Sequence, residues 1–104
     1  MVQKKGGTEG YGAHQHSVPL RGRLVFSAHR EFSQAIEEAL ASNASEIVLN
    51  LRDVEYIDSA ALGMLLVARG KAKDAGKVIS IEGTRGMVKQ VLQIANFQNL
   101  FAIS

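Results

Sequence analysis

The feature that most constrains the fold is a short apolar run at residues 46–51, Glu-Ile-Val-Leu-Asn-Leu. A run this short, nearly continuously apolar and rich in β-branched side chains predicts a strand covered on both faces, as in a parallel sheet. Apolar residues at helical spacing predict one helix before it, at residues 28–42, and another after it, at residues 59–75. Residues 18–26 form an early strand or hairpin, and residues 78–81 a further strand.

A third amphipathic helix follows Gly86, and residues 100–103 form a last strand or helical turn. The order strand–helix–strand–helix–strand predicts an α/β domain with a mainly parallel sheet and right-handed crossovers. Regulatory contacts on such sheets lie at the carboxyl ends of the strands. Residues 53–57 are predicted to be a connection, so residues 58 and 59 stand at such a strand–helix junction.

Residues with short polar side chains mark the expected helix ends. Ser27 and Thr84 stand where the N-caps of the first and third helices belong, and Asp58 or Ser59 caps the second helix. Gly76 is predicted to end the second helix, because glycine adopts the left-handed conformation that terminates many helices.

The length of 104 residues allows one domain. Residues 1–12 contain four glycines and few apolar side chains, which predicts a flexible tail, and residues 13–104 are predicted to form a single domain. Pro19 cannot lie in a central strand, since it has no backbone N–H to donate.

Composition excludes several classes of function. The net charge of +2 and the scattered basic residues argue against a nucleic-acid partner. The chain has no cysteine, so it has no thiolate metal site and no cysteine nucleophile. Its most apolar stretch, residues 60–68, is far shorter than the roughly 20 residues of a membrane span. The N-terminus lacks the apolar segment of a secretory signal, and a cytoplasmic location is expected.

No cofactor or catalytic centre is predicted. His14 and His16 would share one face of a strand, but a metal site needs three or four convergent ligands. Asp53, Glu55 and Asp58 are near enough in sequence to hold Mg²⁺ weakly, although a polar connection explains them more simply. No set of nucleophile, base and orienting residue is visible, so we do not expect an enzyme.

The second predicted helix has two distinct faces. Its core face is expected to carry Ala61, Leu65, Ala68, Ala72 and Ala75. The face pointing away from the core is expected to carry Ser59, Gly63, Leu66 and Gly70, flanked by Val67. Each glycine inside a helix costs about 1 kcal/mol relative to alanine. Either a partner approaches this face closely, or the glycines are tolerated losses or pack against a loop.

The chain resembles the STAS domain of anti-sigma factor antagonists. The resemblance is carried by the apolar strand and by residues 57–63, Ile-Asp-Ser-Ala-Ala-Leu-Gly, with support from residues 92–101, and it covers about residues 15–103. It implies a four- or five-stranded mixed, mainly parallel sheet flanked by helices. It departs from the family pattern at Asn50, where an aspartate is common, and at residues 60–61, where Ala-Ala replaces Ser-Gly.

The resemblance also implies a mechanism. The unphosphorylated protein would bind an anti-sigma factor that is also a serine kinase, phosphorylation of Ser59 would abolish binding, and a PP2C-type phosphatase would reverse it. Because residue 60 is alanine, Ser59 is the only hydroxyl residue in the motif. The residues predicted to bind the partner are Asp58, Ser59, Gly63, Leu66, Val67 and Gly70.

Two other functions remain open. The same resemblance fits a STAS regulatory subunit of a transporter, docked on an ABC lipid system or an anion permease. A nucleotide-binding module or an enzyme fits poorly, because the phosphate loop and the catalytic set are missing. On its own residues, Ser59 would be explained as a helix cap.

Overall fold

The sheet has four parallel strands whose order in space is their order along the chain. The computed structural model describes residues 14–104, and all elements named here lie in that range. Two 3₁₀ turns, Phe26–Ala28 and Phe97–Asn99, supplement the regular elements. The strands and helices are β1 (Gln15–Leu24), α1 (His29–Ala41), β2 (Glu46–Ile57), α2 (Ser59–Asp74), β3 (Val78–Glu82), α3 (Gly86–Ile94) and β4 (Ala102–Ile103).

The three helices lie on one face of the sheet. Strands that follow one another across a sheet through right-handed crossovers place every connecting helix on the same side. Burial agrees, since Ile47 and Leu49 are fully buried and belong to one core with residues of all three helices. Val48 points to the opposite face, where it is 7% exposed and its neighbours include Glu46 and Ser80. The predicted strand therefore exists, but helices cover only one of its faces.

Strand β2 is longer than its apolar run. Residues 53–57, predicted to be a connection, continue the strand and pair with β1 as far as Leu24↔Ile57. The register shifts twice along this ladder, which places an extra residue in β2 each time. These bulges turn both Val54 and Ile57 into the core although the two residues are three positions apart in sequence. The prediction was wrong because the bulges remove the alternation that identifies a strand.

Both expected ends of α2 are confirmed, as is the expected C-terminal end of α1 near residue 42, whereas the expected N-caps of α1 and α3 are wrong. Asp58 is the N-cap of α2, and Gly76 follows its C-cap with φ +72°. The Lys77 N–H donates to the Ala72 carbonyl, closing the turn. Ser27 lies inside a 3₁₀ turn, so α1 is capped by Ala28 without a side-chain bond.

The N-cap of α3 also differs from the predicted residue, Thr84. Arg85 is its N-cap and makes no side-chain capping bond. The Thr84 hydroxyl instead lies 3.5 Å from the Ser104 carbonyl oxygen, to which it donates. Thr84 therefore supports the C-terminal segment and not the helix.

The remaining sequence predictions concern Pro19, the N-terminal tail, the domain boundaries and membrane spans. Strand β1 lies at one side of the described sheet, where Pro19 is tolerated. The predicted tail at residues 1–12 lies outside the described residues, and the boundaries of the predicted domain, residues 13–104, stay a prediction. Among the residues described, no helix is long and apolar enough to cross a membrane.

Candidate functional site

Asp58 joins the start of α2 to the turn after β1. Its Oδ1 accepts a hydrogen bond from the Ala61 N–H at 2.9 Å, and its Oδ2 accepts one from the Phe26 N–H at 3.3 Å. The Asp58 N–H donates to the Leu24 carbonyl at 3.4 Å. One half-buried carboxylate therefore satisfies a free N–H of the helix and fixes the neighbouring turn.

Ser59 is the first residue of α2, directly after the cap. Its side chain is exposed, and within residues 14–104 its hydroxyl makes no hydrogen bond. The simplest explanation of this serine, a helix cap, is therefore wrong, because Asp58 performs that role. The hydroxyl lies beside the N–H groups and the positive dipole end of the helix.

The two predicted faces of α2 are present. Ala61, Leu65, Ala68 and Ala72 are buried in the core. Ala75, predicted to continue this row, is exposed because the helix has ended and Ala75 is its C-cap. The residues of the opposite face are all exposed: Ser59, Gly63, Leu66, Val67 and Gly70.

This outer face of α2, formed by those five residues, combines a free hydroxyl with apolar side chains. Val67 is 60% exposed and Leu66 is 42% exposed. A Cβ atom added to Gly63 or Gly70 would meet nothing within 4 Å. Packing within the described chain therefore does not require these glycines, which excludes a covering loop from residues 14–104 as their explanation.

An apolar groove of about 420 Å³ runs between α1 and α2, beside this face. Gly63 and Val67 line it from α2, Phe26 lines it from the turn before α1, and His29 lines it as the first residue of α1. The rings of Phe26 and His29 stack with centroids 4.9 Å apart and planes 13° from parallel. Phe26 was not predicted as a site residue, because it is the last residue of the predicted strand or hairpin at residues 18–26.

The described residues bring together no metal-binding group. Within residues 14–104, no cluster of three or more His, Asp or Glu side chains has a geometry that could hold a metal ion. The predicted carboxylates separate for a structural reason: Asp53 and Glu55 are exposed on β2, whereas Asp58 is bound to the two backbone N–H groups described above.

Residues 10–102 match the family model described as "Mlab, STAS domain". The chain is also 39% identical over 88 residues to a STAS-domain containing protein of Pseudomonas aeruginosa, covering 85% of this chain and 86% of that protein. The chain belongs to the STAS-domain family. The sequence resemblance is thereby confirmed, as is the α/β fold with a parallel sheet flanked by helices.

Solved STAS structures of two kinds share this fold. A sulfate transporter family protein of Wolinella succinogenes matches with a TM-score of 0.74 and 13% identity, over 88% of this chain and 75% of that one. The anti-sigma factor antagonist SpoIIAA in its unphosphorylated form matches with a TM-score of 0.62 and 17% identity, over 83% and 79% of the two chains. Phosphorylated SpoIIAA of Bacillus matches with a TM-score of 0.59 and 15% identity, over 92% and 87%. At these identities, the similarity concerns the fold.

Proposed function

We propose that this STAS domain is a phosphorylation-controlled partner-switching regulator. In its unphosphorylated form it binds an anti-sigma factor that is also a serine kinase, through the outer face of α2, and so relieves inhibition by that protein. Phosphorylation of Ser59 abolishes the complex, and a PP2C-type phosphatase restores binding. The domain itself performs no catalysis in this scheme, which operates in the cytoplasm.

The observation that carries the proposal is the free, exposed hydroxyl of Ser59 at the edge of an apolar surface. Because Asp58 supplies the cap, this hydroxyl forms no hydrogen bond within residues 14–104. SpoIIAA, which has the same fold, is known in both unphosphorylated and phosphorylated forms. The parallel supports a phosphorylation switch in this chain. We assign the switch to Ser59 because this serine follows the aspartate at the strand–helix junction.

The position of Ser59 also determines how a phosphate would act. A phosphate brings about −1.5 to −2 charges at pH 7, and the first turn of a helix favours negative charge. The helix therefore tolerates the modification. A partner packed over Ser59 and Leu66 would instead have to bury a dianion, at a cost of several kcal/mol unless it supplies a counter-charge.

The direct test is phosphorylation in vitro. The chain is incubated with ATP and a purified serine kinase of the anti-sigma type encoded in the same genome, and the product is mapped by mass spectrometry. We expect one phosphate, on Ser59, and none in Ser59→Ala. Phosphate on another residue, or no phosphate with any such kinase, contradicts the proposal.

The charge effect is tested separately with Ser59→Asp. We expect a melting temperature within a few degrees of the parent chain and loss of kinase binding in calorimetry, because the charge acts at the interface. Ser17→Asp, on exposed β1, is the matched control and should bind normally. A large fall in melting temperature for Ser59→Asp would contradict an interface effect.

A second candidate function is a regulatory subunit of a transporter. The matching family model carries the description Mlab, and the STAS domain of a SulP transporter from Vibrio cholerae shares the fold. In this case the outer face of α2 would bind a transporter component. A pull-down with the purified transporter ATPase or permease domain distinguishes the two functions, since the partner-switching proposal expects no binding there.

A further inference from the structure

The groove between α1 and α2 has an apolar floor and walls. Phe32 and Ile36 line it from α1, and Met64 and Val67 line it from α2. Phe32 and Ile36 also belong to the hydrophobic core, so the floor of the groove is the surface of the core itself. A cavity of this size and composition falls in the range of sites that accept apolar groups.

A side-chain pair lies near each end of the groove. The stacked rings of Phe26 and His29 stand at the end nearest Ser59. At the other end, the Lys71 ammonium forms an ion pair with the Glu37 carboxylate at 2.7 Å. His29 and Glu37 are eight residues apart on α1, which is about 12 Å along a helix. The groove therefore has the length of one or two large side chains.

The charges at the rim favour an uncharged occupant. Lys71 is the ammonium that lines the groove, and its charge is already matched by Glu37. An anionic amphiphile would have to compete with that carboxylate, whereas a neutral apolar group leaves the ion pair intact. A charged group would in addition lose hydration without gaining a partner.

The groove continues into the outer face of α2, because Gly63 and Val67 belong to both. One long side of it faces solvent, so an occupant would be only half covered unless it brought its own protein surface. We propose, resting on the function proposed above, that the partner protein inserts a bulky uncharged side chain, aromatic or aliphatic, between α1 and α2. Phe26 and Val67 are the residues of this chain that contact it.

Asp58 connects this groove to the switch. Its carboxylate holds the Phe26 N–H at 3.3 Å and lies one residue before Ser59. Phe26 and the proposed phosphorylation site Ser59 are therefore both attached to the start of α2. A partner that fills the groove and also covers the outer face of α2 would lie over Ser59, where a phosphate would meet it.

Cysteine variants test the groove with the serine kinase as the probe. The chain has no native cysteine, so Val67→Cys can be alkylated selectively with a small carbamidomethyl group or a large pyrenyl group. We expect the pyrenyl adduct to weaken kinase binding at least about tenfold, as expected for a blocked anchor pocket. Val78→Cys is the matched control, since Val78 is 63% exposed but lies on β3. Equal kinase affinity for the two pyrenyl adducts overturns the inference.

A second variant tests the contact without a bulky label. Phe26→Ala removes a side chain that is 64% exposed, so the fold should persist with a nearly unchanged melting temperature. We expect a fivefold or greater loss of kinase affinity, about the limit of a significant interface contact. Unchanged affinity in a folded Phe26→Ala chain counts against the inference. If the kinase fails to bind the parent chain at all, the proposed function fails instead.

Small probes test the groove independently of any kinase. N-acetyltryptophanamide is titrated into the chain while the methyl signals of Met64 and Ile36 are followed by NMR. We expect shifts at these methyl groups and none at Ile94, which is exposed on α3. Absence of shifts overturns the inference. Laurate binding that is tighter than binding of N-acetyltryptophanamide and is lost in Lys71→Ala would identify a lipid site and would also overturn it. Self-association blocked by alkylation at residue 67 would identify a second copy as the occupant and overturn it too.

Discussion

Asp58 is the residue on which the geometry of the site depends most directly. Its carboxylate accepts hydrogen bonds from the Ala61 and Phe26 N–H groups. In Asp58→Ala both donors lose their partner, so we expect the free energy of unfolding to fall by about 1–2 kcal/mol. Urea denaturation of the variant and the parent chain measures this difference.

Two further variants separate the capping role of Asp58 from its charge. Asp58→Asn keeps an oxygen acceptor and should lose less stability than Asp58→Ala. Asp74→Ala removes an exposed carboxylate at the C-terminal end of α2 and should change stability little. An Asp58→Ala chain as stable as Asp74→Ala would show that the two hydrogen bonds contribute nothing.

At the scale of an element, α2 carries glycines that its own fold does not need. Gly70 has helical geometry, and an added Cβ would meet nothing within 4 Å. We therefore expect Gly70→Ala to raise the free energy of unfolding by about 0.5–1 kcal/mol, because alanine loses less backbone freedom on folding. Thermal and urea unfolding of the isolated chain provide the measurement.

Gly83→Ala is the matched contrast. Gly83 has φ +78°, and a Cβ there would lie 2.9 Å from the Arg52 backbone nitrogen. The same substitution should therefore destabilise the chain at residue 83 and stabilise it at residue 70. A loss of stability in Gly70→Ala would mean that the helix itself needs this glycine. The glycine would then no longer support a partner-binding role for the outer face of α2.

The elements differ in how well the sequence predicted them. Helix α2 was predicted nearly to its ends, because its apolar spacing, Asp58 and Gly76 all indicate the same boundaries. The second half of β2 was missed, because its bulges replace the alternation of a strand with a pattern that resembles a polar loop. The predicted N-caps of α1 and α3 were wrong because Ser27 lies inside a 3₁₀ turn and the Thr84 hydroxyl donates to the C-terminal segment.

Only part of the site could be predicted from the sequence, because the rest depends on contacts between residues far apart in the chain. Helical periodicity was enough to place Gly63 and Val67 on an exposed face, since it depends on local spacing alone. It could not predict that Phe26, 41 residues before Val67, lines the same groove. That contact depends on how α1 packs against α2. Its only signal in the sequence was an aromatic residue shortly before a predicted helix.

At the scale of the whole molecule, the C-terminal segment closes the core. Phe97 and Phe101 are both 4% exposed and stack with ring centroids 5.6 Å apart. We expect Phe101→Ala to lower the free energy of unfolding by about 3–5 kcal/mol, a large part of the stability of a domain this size. Ile94→Ala is the control, since Ile94 is 82% exposed. Similar denaturation midpoints for the two variants would contradict this role of the aromatic pair.

The unequal lengths of the outer strands have a mechanical consequence. Strand β1 is paired with β2 from Gln15 to Leu24, whereas β4 has only two residues, paired with β3. Force applied between residues 14 and 104 pulls these parallel strands in opposite directions along their length. The short C-terminal ladder should break first and release α3, while β1, β2 and the start of α2 stay assembled. Under load, the chain would lose residues 83–104, about its C-terminal fifth, before the region around Ser59 is disturbed.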